Sequence, residues 1–177
     1  FLTLGLLYSG NSVAHVMGGC YFDSGSRLEK RYLIDSPLAT TYTTKRNMEL
    51  LNPLLHELSH YVKPNDYLLC FQSIPMVHFL TQTRPYLYNP WVWSYDPSNL
   101  KKQIGIAERE HSKLPVIVRD KSHLPTWYEY DPNWNNEKCP DDYIHKKKRV
   151  ICINEFIKQH HYKVVWENEV FQILASS

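Results

Sequence analysis

The chain has 177 residues, a net charge of +2 with its nine histidines neutral, and ordinary charged and apolar fractions. That length fits one domain able to bury a core without staples, and the composition excludes a disordered chain. The weak positive charge lacks the footprint of a nucleic-acid binder, and no run of eighteen apolar residues is present to span a bilayer.

The chain opens on FLTLGLL, read either as an internal strand or as the tail of a hydrophobic helix. Residues 1–18 are accordingly expected to be a linker or the stub of a preceding hydrophobic helix, with a single α/β domain over 19–177. Short strands are expected at Cys20–Phe22 and Tyr32–Ile34. Thr43 or Thr44 suits a helix N-cap, and the leucines from Leu50 to Leu58 recur at the helical period up to about Val62. Pro53 either kinks that helix or restarts it, and Lys63-Pro64-Asn65-Asp66 stops it.

Tyr67–Phe71 reads as a buried strand, followed by a short helix from Pro75 to Leu80 that Ser73 can cap. An aromatic loop from Arg84 to Trp93 comes next. Asp96-Pro97 starts a helix over 97–112, and LPVIV at 114–118 suits a strand covered on both faces. Residues 120–148 read as an irregular insertion, Val150–His160 as an amphipathic helix, and 163–174 as a hairpin around Glu167-Asn168-Glu169. This order predicts a three-layer α/β sandwich with a Rossmann-like, mostly parallel central sheet and a C-terminal β-hairpin.

Four cysteines stand at 20, 70, 139 and 152 with no CxxC pair. Cys70 falls in an apolar strand, whereas Cys20 and Cys139 could pair in an oxidising compartment. His56-Glu57-Leu58-Ser59-His60 is a literal HExxH, the pattern by which two imidazoles on one helix face bind zinc and a glutamate polarises water. Lys63 stands where a third-ligand turn needs glycine, and both histidines lie opposite the leucine stripe, so solvent-facing histidines are the favoured reading. Ser73 lacks the flanking glycines of a nucleophile turn. Asp141-Asp142 reads as a pair of turn residues, and Lys146–Arg149 as a solvated basic run.

The candidate ligand-binding residues stand just past predicted strand ends: Gln72, His78, Arg84, Asn89, Trp91, Trp93 and Arg119. A guanidinium offers a planar fork for phosphate or carboxylate, and flat aromatic faces suit sugars and isoprenoid chains. The same aromatics could instead fill a satellite core. No catalytic residue, metal ligand or cofactor is assigned.

The segment PNDYLLCFQSIPMVHFLTQTRPYLYNPW resembles the soluble C-terminal portion of bacterial GT-C type integral-membrane glycosyltransferases. These are similar to dolichyl-phosphate-mannose protein mannosyltransferases and lipid A aminoarabinose transferases. The residues that carry the resemblance are Asp66, Leu68, Leu69, Pro75, Leu80, Thr81, Arg84 and Pro85, with the closing helix and hairpin FIKQHHYKVVWENEVFQIL. The resemblance implies a non-catalytic, extracytoplasmic (periplasmic) domain at the inner membrane. Its implied partners are the transmembrane part of the same polypeptide and a lipid-linked sugar or glycan acceptor. The alternatives are an HExxH zinc metallopeptidase and a free-standing ligand-binding α/β module.

Overall fold

A computed structural model of the chain describes residues 27–36, 41–71, 74–121 and 141–176. The expectations for FLTLGLL, Cys20–Phe22, Gln72, Ser73 and Cys139 lie outside them. The chain divides into two compact units, Phe1–His56 and Glu57–Ser177.

In the first unit, β1 (Tyr32–Leu33) pairs antiparallel with β2 (Tyr42–Thr43). Helix α1 (Lys45–Leu58) follows at once and belongs to this unit as far as His56. Thr44 caps it, its hydroxyl accepting from Asn47 N at 3.4 Å. Pro53 lies inside a continuous helix, so the helix does not restart there. One turn of the ladder loses a donor at that proline, and the rest holds. Asn52 ties the helix to β1: its Oδ1 accepts from Asp35 N at 2.9 Å, and its Nδ2 donates to the Leu33 carbonyl at 3.3 Å. Leu51, Leu54 and Leu55 are buried, as the leucine stripe predicts.

The last turn of α1 opens the second unit and stops at Leu58, four residues earlier than expected. Its end tightens into i,i+3 bonds, His60 N to the Glu57 carbonyl and Tyr61 N to the Leu58 carbonyl, and the Asp66 carboxylate accepts from Lys63 N at 2.8 Å to hold the turn that follows. The elements that follow are β3 (Tyr67–Phe71), α2 (Met76–Thr81), β4 (Arg84–Pro85), α3 (Pro97–Glu110), β5 (Val116–Asp120), α4 (Asp141–Gln159), β6 (Tyr162–Glu167) and β7 (Phe171–Ser176). Asp96 caps α3, accepting from Ser98 N and Asn99 N at 3.0 Å, and Pro97 fills the first helical position. These bonds, the Ser98 hydroxyl foremost, hold the Asp96 carboxyl below the usual carboxylate range. Helix α4 starts at Asp141, inside the stretch read as irregular. No Gly or Pro interrupts 141–159, so nothing in that stretch breaks the helix.

The sheet corrects the expected fold class. Its order is β4-β3-β5-β7-β6. The pairs β3–β4 and β3–β5 are parallel, but β5–β7 and β7–β6 are antiparallel. The sheet is therefore mixed and not a mostly parallel Rossmann-like one. The cause is the C-terminal hairpin: β7 adds directly to the free edge of β5 in the antiparallel sense and fills the place a further parallel strand would take. The edge strand β6 carries a bulge between Val164 and Trp166, a device that discourages further pairing.

One face of the sheet carries Leu69, Phe71, Ile117 and Leu174, packed with Leu100, Ile104 and Ala107 of α3 and Val150, Ile153 and Phe156 of α4. Strand alternation puts Leu68, Cys70, Val118 and Ile173 on the other face, and each has an exposure of 0 %. Both faces of the sheet centre are thus covered. Burial pushes the Cys70 thiol well above its ordinary value, so it behaves as a small apolar side chain.

Ile117 pairs with Leu69 on one side and Leu174 on the other, at 0 % exposure. Ile117→Ala is expected to cost about 2–5 kcal/mol, read as a lower urea midpoint with an unchanged slope. A loss under about 1 kcal/mol would remove β5 from the centre of the core.

Candidate functional site

The register of the sheet decides how the sequence-predicted site residues sit. Arg84 pairs with Tyr67 at the start of β3, while Arg119 pairs with Phe71 at its end. The two levels are four residue steps apart along β3, roughly 13 Å at about 3.3 Å per residue. The two arginines therefore mark opposite ends of the parallel strands and do not converge.

Each remaining residue has a local role. Arg84 is exposed and its Nη2 donates to Asn65 Oδ1 at 3.3 Å. Asn89 forms a turn, donating to Ser94 Oγ at 2.8 Å and accepting from Trp91 N at 2.8 Å. Trp91 leaves 39 % of its surface exposed. Trp93 is half-buried beneath the Arg149 guanidinium, 4.9 Å from its ring centroid, and Arg149 Nε also donates to the Tyr95 carbonyl. Arg119 grips Gln172 Oε1 through Nε and Nη2 at 3.1 and 2.6 Å, and reaches Asn154 Oδ1 at 3.5 Å.

His78 is buried in α2, with Nδ1 3.2 Å from Thr83 Oγ1. Thr83 in turn meets Thr81 Oγ1 at 2.9 Å, and its N–H donates to the His78 carbonyl. Gln82 takes a left-handed conformation (φ 56°) to make this C-cap. Burial lowers the imidazole to about 4, so it is neutral at pH 7.

The HExxH motif does not form a helical metal pair. Helix α1 ends at Leu58, so His60 lies in the following turn, where its N–H meets the Glu57 carbonyl in an i,i+3 bond. Its Nδ1 is 3.8 Å from Glu57 Oε2, and His56 is exposed. Among the described residues, no group of three or more His, Cys, Asp or Glu side chains is placed to hold a metal ion.

The sequence reading missed a denser cluster in the second unit, around the junction of α3 with β5. The His111 ring lies 3.8 Å from the ring of Tyr67, 4.9 Å from that of Tyr86 and 5.3 Å from that of Tyr88. Its Nε2 is 3.1 Å from the Tyr86 carbonyl oxygen. A carbonyl only accepts, so Nε2 carries the proton. Tyr88 takes a left-handed backbone (φ 64°), unusual for an aromatic residue, and its hydroxyl donates to Glu110. That bond is the main reason the Tyr88 phenol is pushed up to about 12.

Below these rings, His160 Nε2 meets Glu108 Oε1 at 2.6 Å, tying the end of α4 to α3. Phe156 packs between Tyr86, His160 and Tyr162. The Tyr162 hydroxyl donates to the Pro115 carbonyl at 2.6 Å, and burial raises its phenol further than that of Tyr88. The Tyr86 hydroxyl is buried with no hydrogen-bond partner among the described residues. Desolvation first, then the Glu108 charge, pushes it up to about 12. The cluster draws on four separated stretches of chain, and no local pattern announces it. It combines a carboxylate–imidazole pair, stacked rings and a neutral buried phenol, chemistry suited to holding elements together and to presenting aromatic and carboxylate groups at the surface. No metal-holding group of side chains accompanies it among the described residues.

No family model, curated protein or solved structure matches this chain. No helix among the described residues is long and apolar enough to cross a membrane.

Two measurements test this chemistry. An unfolded histidine binds its proton near 6.5 and folded His78 only near 4, so the unfolded chain binds more protons between those values. The stability contributed by neutral His78 is present in full above about pH 6.5 and is lost as pH falls toward 4, a change of about 3 kcal/mol. His78→Gln is expected to flatten the unfolding midpoint across that window; an unchanged slope would assign it to other groups. Tyr86→Phe removes a buried hydroxyl that has no hydrogen-bond partner among the described residues, and is expected to leave stability unchanged or raise it by up to about 1 kcal/mol. A comparable loss would show the hydroxyl to be paired.

Proposed function

We propose that the chain is a non-catalytic, extracytoplasmic α/β domain of a membrane glycosyltransferase that uses a polyprenyl-phosphate-linked sugar, and that it helps to bind donor or acceptor. The observation that carries this reading is the part played by the residues on which the resemblance rests. Asp66 forms the turn before β3, Leu68 and Leu69 fill the two faces of the sheet, and Leu80 is buried on α2. The Thr81 hydroxyl donates to the Val77 carbonyl at 2.7 Å, and Arg84 and Pro85 pair with Tyr67 and Leu68. The shared pattern is thus mainly a set of instructions for folding one sheet edge. That supports a role in architecture and binding, with the chemistry carried out elsewhere in the polypeptide.

Within the segment, Arg84 and Trp91 are exposed and retain the means to meet a ligand. A guanidinium at a sheet edge can take a phosphate or carboxylate, and an exposed indole face can take a sugar ring or a prenyl chain. In the native membrane protein, Arg84→Ala with Trp91→Ala is expected to lower sugar transfer at least several-fold at unchanged protein level. Unchanged turnover would remove the pair from substrate binding. The reading also predicts that the native protein stays in the membrane pellet after alkaline carbonate extraction, and its release would overturn the membrane assignment.

A further inference from the structure

We draw no further inference here: the strongest candidate, the exposed apolar face of α2 formed by Met76 and Phe79, carries nothing because nothing in the structure shows what covers it.

Discussion

Strand β5 is paired along both edges and covered on both faces, and the second unit is laid out from it. Its Ile117 and Val118 are fully buried. On one edge β3 runs parallel, which requires a crossover, and α3 supplies it. On the other edge β7 runs antiparallel, and α4 with β6 supplies the longer path needed to bring the chain back in that direction. The α3–α4 pair then covers the face that carries Leu69, Ile117 and Leu174. With β5 paired along both edges and its centre apolar on both faces, this strand leaves little freedom to its neighbours.

The elements were largely legible because local physics sets them. YLLCF forms β3 as expected, and the LPVIV run leads into β5, which starts two residues later than expected, at Val116, and runs to Asp120. Asp96-Pro97 is a helix start on capping chemistry alone, and α3 begins there. The direction in which a hairpin joins a sheet has no such local signature. The apolar residues of Phe171–Ser176 mark a buried strand, with Ile173 and Leu174 covered on opposite faces, and that reads the same whichever strand lies beside it and in whichever sense. The mixed sheet was therefore out of reach, although both of its C-terminal strands were not.

The same distinction explains the site. Arg84 follows a helix that follows a strand, which suggests the far end of that strand. The left-handed turn at Gln82 and the bond from Arg84 N to the Asp66 carbonyl return the chain to the near end. A single reversal of this kind separates Arg84 from Arg119. The tyrosine and histidine cluster is harder still to read, since Tyr67, Tyr86, His111, His160 and Tyr162 meet only after β3, α3, α4 and β6 are in register. His78 was expected to line a cleft past a strand end; it is buried instead, and that burial keeps it neutral at pH 7.

The position of polar groups in this fold bears on how its chemistry should be understood. Glu108, His160, Arg119, Gln172 and Asn154 are spent on bonds between elements distant in sequence. Such bonds are strengthened by partial burial and by mutual orientation, and they fix the helices against the sheet where apolar packing alone is tolerant of sliding. A side chain engaged in this way cannot also reorganise around a reacting group without loosening the layer it holds. The exposed residues of the Arg84–Trp91 segment are tied more lightly, Arg84 donating to Asn65 and Tyr88 to Glu110 at the surface. Binding at that surface depends on complementarity and charge, and it draws little on the partly buried Glu108–His160 pair that ties α4 to α3.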